Sequence, residues 1–565
     1  MEEKKLTGYP SVDKPWLKYY SEEAIHTTIP SKTMYDLIFD SNKYRMDYTA
    51  IRYYGNNISY RELFKNIDTA ARAFSAHGIT AGDVVTILSL NTPETTYAIY
   101  ALNRIGAVVN LLVANNSNNE IKANLKETNS KLLLVLDKML DALGDFECPV
   151  PIVVLPITDS AKGIDKLIFK LASSRKKETL TYREFVKKQK DIQNISLHSY
   201  DEPAVIVYTS GTTGSPKGVV LSNKNLNSCA VQCSVSGKNY QPNETFLNIL
   251  PPFFSFGIGM KHLCLYVGMT EIPTLIPKVA NVIKMVKKHK PSRFVIGPAI
   301  TDAIEKYQGR DLSFLVDLTG GGGSISAKTE DRLNAILKEK GSRSKYLSGY
   351  GMTELSAAVS MNHNNNYRHQ SIGLPLPLTN IKICDPDTGV ELSYNQEGEL
   401  MVNSPSLMLG YYNNIEETSA VVHTEVDGTR WMHTGDLAKV DEDGFVYITG
   451  RLKRIYIVTD KDNVAYKLFP QRMEEIIQQI PEVIHCGVIV QEDAQTGHIP
   501  IVFISTDAEV SSEKMKETVE KAISDNLPAY YKPKAILVLD KMPVNRNQKI
   551  DYRVLERESQ KETAD

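Results

Sequence analysis

The chain has 565 residues, of which 42% are hydrophobic and 23% charged, with a formal net charge of −2. That length exceeds one hydrophobic core, so two or more domains are expected, and the near-neutral balance excludes a strongly basic nucleic-acid binder. The charged start Met1-Glu2-Glu3-Lys4-Lys5 lacks the apolar stretch of a secretory signal and no apolar run would span a bilayer, so a cytoplasmic protein without integral membrane association is expected.

Residues up to about 31 read as a leader that packs on the surface. Ser59-Tyr60-Arg61-Glu62 is a capping box, and Leu63, Ile67, Ala70, Ala71 and Phe74 follow at helical spacing. Residues 84–90 read as a strand. Thr92-Pro93 opens a helix to about residue 105, and 107–112, 132–136 and 152–155 are further short apolar strands. Strands alternating with helices predict parallel βαβ units in a layered α/β domain. From 158 to 199 the chain turns polar and basic. Lys166-Leu167-Ile168-Phe169-Lys170-Leu171 followed by Arg175-Lys176-Lys177 fits either a membrane-surface contact or, more readily, a solvated amphipathic helix on one domain face.

Ala204-Val205-Ile206-Val207 is a buried strand leading into Tyr208-Thr209-Ser210-Gly211-Thr212-Thr213-Gly214-Ser215-Pro216-Lys217-Gly218. Glycines let backbone N–H groups approach an anion, small hydroxyls add donors, and Lys217 adds a mobile positive charge. These features suit a polyphosphate. The Walker A loop is excluded, because Pro216 precedes the lysine and Gly218 follows it. A helix over 223–235 leads away. It carries Cys229 and Cys233 on one face. No second Cys or His pair completes a zinc set, so the six cysteines read as free and mostly buried thiols.

Pro251-Pro252-Phe253-Phe254-Ser255-Phe256-Gly257 could wall an apolar pocket or belong to the core. Asp317-Leu318-Thr319-Gly320-Gly321-Gly322-Gly323-Ser324 could bring a flat ligand against bare backbone, or be a flexible turn. Ser348-Gly349-Tyr350-Gly351-Met352-Thr353-Glu354 offers a ring, a hydroxyl and a carboxylate in close succession. Such a ring suits adenine, and such a carboxylate suits Mg²⁺. Glu397-Gly398-Glu399-Leu400-Met401-Val402 and Met408-Leu409-Gly410-Tyr411-Tyr412 read as structural. In Trp431-Met432-His433-Thr434-Gly435-Asp436 the aspartate could accept two ribose hydroxyls, or be a turn residue. Residues 443–448 read as a hairpin strand. Gly450-Arg451-Leu452-Lys453-Arg454 reads as a domain junction. Beyond it come strands at 485–490, 500–505 and 535–539, a helix over 511–526, and Pro543-Val544-Asn545-Arg546-Asn547-Gln548-Lys549-Ile550-Asp551.

Taken in this order, 208–218, 348–354, 431–436, 450–454 and 543–551 resemble the signature segments of the adenylate-forming enzymes, which include acyl-CoA synthetases, peptide-synthetase adenylation domains and luciferases. The resemblance covers about residues 29–555. It implies a large N-terminal domain of layered α/β subdomains over 1–450 and a small, mobile α+β domain over 451–565. It implies that Thr209, Ser210, Gly211, Thr212, Thr213, Gly214 and Lys217 hold phosphates. Gly322, Gly323, Ser324, Tyr350, Gly351, Thr353, Asp436 and Arg451 would complete the nucleotide site.

By the same resemblance, Phe254, Ser255, Gly257, Gly297, Gly321 and Gly349 would line the carboxylate pocket, Lys453 would be the hinge, and Glu354 would face Mg²⁺. Lys549, Thr353 and Glu354 would be catalytic. The implied activity is ATP-dependent ligation of a small carboxylic acid to CoA through an acyl-adenylate, with release of pyrophosphate and AMP. Amino-acid-activating members place an Asp in the segment 251–261, and none stands there, so a fatty or other hydrophobic acid is expected.

Three departures accompany the resemblance. Phe254 replaces a common His. Ala465 stands in the post-hinge segment where a Gly lines the pantetheine tunnel, after an apparently lengthened 459–463. Asn545 and Gln548 replace a Thr and a Gly. The altered post-hinge segment leaves a phosphopantetheine carrier protein as the alternative thiol partner.

Overall fold

The computed structural model describes residues 6–113, 116–143, 147–171, 179–192, 200–209, 216–275, 278–297, 300–307, 309, 311–323, 325–454, 456–459, 465–493, 496–506, 511–544 and 549–562. Two mostly parallel sheets form the bulk of the N-terminal part. The eight-stranded sheet runs in the order Gly410–Tyr411, Gly218–Ser222, Pro203–Tyr208, Val108–Leu111, Val84–Leu88, Leu132–Leu136, Ile152–Leu155 and Leu180–Thr181. The nine-stranded sheet has Thr270–Pro273, Thr245–Asn248, Arg293–Ile296, Asp317–Gly320 and Tyr346–Tyr350 as its parallel centre. Strands buried on both faces account for the uninterrupted apolar runs in the sequence, such as the fully buried Leu132–Leu136.

The helix Tyr60–Ala76 shows how the sequence builds these layers. Ser59 accepts from the Glu62 N–H at 3.2 Å while Glu62 accepts from the Ser59 N–H at 2.8 Å, which closes the expected capping box. Leu63, Ile67, Ala70, Ala71 and Phe74 are completely buried along one stripe. Removing Phe74 to alanine would cost about 3–5 kcal/mol in transfer and cavity terms. The helix Pro93–Arg104 starts on Thr92, whose hydroxyl accepts from the Thr95 N–H, with proline at its first position.

A five-stranded antiparallel sheet follows, built from Asn380–Cys384, Gly398–Asn403, Arg430–Val440, Val422–Thr424 and Val446–Arg451. It ends at the single turn of 3₁₀ helix Leu452–Arg454. Beyond lie the hairpin Tyr456–Thr459 with Ala465–Leu468, a three-stranded sheet of Val483–Asp493, Gly497–Thr506 and Ala535–Leu539, and three helices, Pro470–Ile477, Ser512–Asn526 and Tyr552–Glu562. This part has its own core around Met473, Ile477, Val488, Val502, Val519 and Ile523. Arg454 is fastened into it by Glu474 at 2.8 Å, and Glu474 also accepts from the Tyr552 hydroxyl and the Val488 N–H.

The strand ends differ from the sequence reading by up to three residues. The strand expected over 443–448 lies at Val446–Arg451, because 441–444 form the preceding turn. The leader needs a correction. Trp16 is completely buried in the main core, its backbone lying against Gly444, and Tyr20 donates to the Pro375 carbonyl at 2.7 Å. Burying so large a side chain makes the leader part of the domain rather than a surface covering. The amphipathic segment forms the helix Gly163–Leu171, with Ile164 and Leu167 exposed, while 175–177 lie outside the described residues. Among the described residues no helix is long and apolar enough to cross a membrane.

Candidate active site

The residues singled out from the sequence collect where parallel strands end. Thr209 follows Pro203–Tyr208, Gly297 follows Arg293–Ile296, Gly321 follows Asp317–Gly320, and Gly351 follows Tyr346–Tyr350. Open α/β sheets bind ligands beyond such carboxyl ends. Ser210, Gly211, Thr212, Thr213, Gly214 and Ser324 lie outside the described residues.

Thr209 and Lys217 close the base of the loop between them. The Thr209 N–H donates to the Lys217 carbonyl at 3.0 Å, and the Lys217 N–H donates to Thr209 Oγ1 at 3.3 Å. The Lys217 ammonium pairs with the Glu417 carboxylate and lies 5.0 Å from the centre of the Tyr411 ring. Tyr411 then donates its hydroxyl to Glu354 Oε1 at 2.8 Å. Tyr411 and Glu417 thus tie the loop lysine to Glu354, a role that the sequence pattern did not reveal.

Glu354 is buried, and desolvation raises its pKa against the opposing charges of Arg451 and Lys217. A buried carboxylate under that penalty favours a nearby cation. Among the described residues no group of three His, Cys, Asp or Glu could hold a metal. A single buried carboxylate such as Glu354 can supply one oxygen ligand to a hard cation. Its neighbour Thr353 accepts from the Ser255 hydroxyl at 3.3 Å.

Asp436 is the most connected group. It is buried on the strand Arg430–Val440, opposite Arg451 on the next strand. Its carboxylate meets Arg451 Nε at 2.7 Å and accepts from the Tyr350 hydroxyl at 2.6 Å. The strand just before it is held by Glu399 on the neighbouring strand, which accepts from the Gly435 N–H at 3.1 Å and lies 2.9 Å from His433 Nδ1. Burial pushes the Asp436 carboxyl up against the pull of Arg451, Tyr350 and Lys549.

Lys549 belongs to the C-terminal part, yet it lies within electrostatic reach of both Asp436 and Arg451. Its ammonium titrates below the ordinary lysine range, first through desolvation and then through the like charge of Arg451, with Asp436 opposing. The residue as a whole is exposed.

The glycines make room. A Cβ on Gly351 would sit 1.4 Å from the Ala357 carbonyl oxygen, and one on Gly257 would sit 1.9 Å from that of Pro251. A Cβ on Gly321 would come within 3.0 Å of the Phe256 ring, and one on Gly349 within 3.2 Å of the Ser360 carbonyl oxygen. Gly297 and Gly321 adjoin, since a Cβ on the former would lie 3.7 Å from the carbonyl oxygen of the latter. Gly322 has φ +82° and open space around it, and Gly323 follows. Phe254 is half-buried and packs edge-on to Phe253 at 4.7 Å. Lys453 lies in the turn Leu452–Arg454.

The AMP-binding enzyme family matches residues 38–412, and the C-terminal domain of AMP-binding enzymes matches residues 472–549. The chain belongs to the AMP-binding enzyme family. A 4-coumarate–CoA ligase-like protein of Arabidopsis thaliana (4-coumarate–CoA ligase-like 2) is 30% identical over 516 residues, covering 89% of this chain and 86% of that protein. A long-chain-fatty-acid–CoA ligase of Bacillus subtilis is 26% identical over 573 residues, covering 97% and 98%. The structure of the B. subtilis o-succinylbenzoate CoA synthetase with its acyl-adenylate intermediate superposes with TM-score 0.76 at 23% identity, covering 93% of this chain and 98% of that one. An anthranilate CoA ligase, AuaEII, with anthranoyl-AMP gives 0.79 at 20% identity, covering 93% and 97%. This AMP-binding enzyme therefore has the mixed α/β fold of the adenylate-forming superfamily, a large N-terminal domain followed by a C-terminal one, and is an AMP-forming ligase of the acyl-CoA synthetase type.

Proposed function

We propose that the protein ligates a fatty or other hydrophobic carboxylic acid to CoA in two steps within one site. The acid's carboxylate attacks the α-phosphorus of ATP, forming the acyl-adenylate and releasing pyrophosphate. The CoA thiol then attacks the acyl carbonyl and releases AMP. The observation that carries this reading is the approach of Lys549 to Asp436 and Arg451, across the junction at Leu452–Arg454.

In this reading Asp436 accepts the ribose hydroxyls. Its carboxylate keeps acceptor capacity beyond Tyr350 and Arg451, since it has about four lone-pair sites. The Tyr350 ring, with its hydroxyl fixed by Asp436, offers a face to adenine. Thr209, the hydroxyls and glycines of 210–214, and Lys217 hold the β- and γ-phosphates. Thr353 faces the α-phosphate, and Glu354 holds the magnesium that accompanies ATP. A magnesium ion held by Glu354 would neutralise phosphate charge and polarise the bonds to phosphorus.

Lys549 supplies a positive charge where negative charge develops between the carboxylate and the α-phosphate. Phe254, Ser255, Gly257, Gly297, Gly321 and Gly349 line the acid's pocket, and the absence of an acidic residue over 251–261 supports an acid without an ammonium group. The domains divide at 450, with Lys453 as the pivot. Rotation there would withdraw Lys549 after adenylation and admit the thiol.

The test is AMP release from MgATP across short, medium, long-chain and aryl carboxylates, each with and without CoA. AMP that requires both an acid and CoA is the expected result. Pyrophosphate release that requires the acid but no turnover with CoA would transfer the second step to a carrier-protein thiol. No release with any acid would contradict the reading.

A further inference from the structure

Glu417 stands in the first turn of the helix Ile415–Val421, and the Asn414 side chain caps its N–H at 3.1 Å. A carboxylate is favoured at that end of a helix. The same carboxylate pairs with the Lys217 ammonium, which also lies over the Tyr411 ring. Tyr411 is fixed in turn: its strand pairs with Gly218–Ser222, its N–H donates to Thr418 Oγ1 at 2.9 Å, and its hydroxyl donates to Glu354. The loop lysine therefore has a built anionic partner whose backbone cannot follow it toward a ligand in the loop.

We propose that Glu417 competes with polyphosphate for Lys217, and so sets the affinity for ATP and the ease with which pyrophosphate leaves. This rests on the reading of Lys217 as a phosphate contact. A triphosphate with its higher charge outbids one carboxylate, so ATP still binds. Pyrophosphate, once cut from the nucleotide, no longer has the adenosine contacts to hold it, and Glu417 returning to Lys217 speeds its departure. The side chains are partly exposed, 30% for Lys217 and 45% for Glu417. Ion pairs of that exposure are modest, so the competition amounts to about a two- to fivefold effect, of order 0.4–1 kcal/mol.

The experiment is calorimetric binding of MgATP, magnesium pyrophosphate and AMP to the wild-type protein and to Glu417→Gln. Glutamine keeps the shape and the helix and removes the charge. Tightening of ATP and pyrophosphate by about two- to fivefold, with AMP unchanged, is expected, because AMP lacks the phosphates that Lys217 would hold. Glu417→Asp, which keeps the charge on a shorter stem, should behave like Glu417→Gln and serves if the glutamine variant folds poorly. In a Lys217→Met background, Glu417→Gln should change nothing further. Unchanged or weaker ATP binding in Glu417→Gln, or an equal shift for AMP, overturns the inference alone. Wild-type protein that binds neither ATP nor pyrophosphate overturns the reading of Lys217 and this inference together.

Discussion

The Tyr350 hydroxyl donates to Asp436 at 2.6 Å, joining two segments 86 residues apart in the chain. The contact fixes the ring plane and the carboxylate together, so the proposed adenine and ribose contacts are oriented before a nucleotide arrives. Tyr350→Phe keeps the ring and loses only the bond that orients it against Asp436, a bond not made to the nucleotide, and should raise the ATP dissociation constant less than about tenfold. Tyr350→Ala removes ring and hydroxyl and should raise it further. Equal losses in the two variants would refute a role for the ring.

Asp436→Ala should weaken ATP binding by about 1.5–3 kcal/mol, the range for hydrogen bonds to a charged group. An ATP dissociation constant unchanged by equilibrium titration would refute the ribose role.

Glu474 holds Arg454 just beyond the junction through a well-packed ion pair and also receives Tyr552 and the Val488 N–H. Glu474→Ala leaves Arg454 without its partner and should cost about 3–5 kcal/mol. A urea midpoint equal to that of the wild-type protein would show that the cluster contributes no stability.

Two buried histidines give the fold an acid limit. Burial pushes the His262 and His363 pKa values down to about 3, and neither nitrogen of His363 has a hydrogen-bond partner. Below about pH 6.5 the unfolded chain takes up a proton at each imidazole that the folded chain refuses. Stability should therefore fall as pH drops from 6.5, by up to about 1.4 kcal/mol per unit and per histidine, and level off near 3. His363→Leu should flatten part of that fall between pH 6 and 4 in urea titrations. An acid branch as steep as that of the wild-type protein would contradict the assignment.

The outline of the fold was readable because its strands are buried on both faces and its helices carry caps. The runs 132–136 and 152–155 coincide with such strands, the half-buried run 535–539 with an edge strand, and the Ser59 capping box with an observed helix start. Trp16 was not readable, since nothing local marks a leader residue as core. The partners of the site residues were equally hidden. Glu417 beside Lys217, Tyr411 beside Glu354 and Arg451 beside Asp436 are set by sheet register and helix placement, and sequence spacing carries no trace of those. Residues 460–463 of the lengthened stretch 459–463, together with Asn545 and Gln548, lie outside the described residues. Ala465 begins the strand Ala465–Leu468.

The central claim is that Lys549 drives adenylation from the far side of the junction. It is tested most directly by acid-dependent exchange of labelled pyrophosphate into ATP, in the wild-type protein and in Lys549→Ala. The account predicts exchange in the wild type with a hydrophobic acid and a loss of about 10²–10³-fold in the variant, comparable to removing one preorganised charge-stabilising donor. It also predicts near-normal ATP binding in the variant and thioester formation from supplied acyl-adenylate. Exchange at the wild-type rate in Lys549→Ala would contradict it.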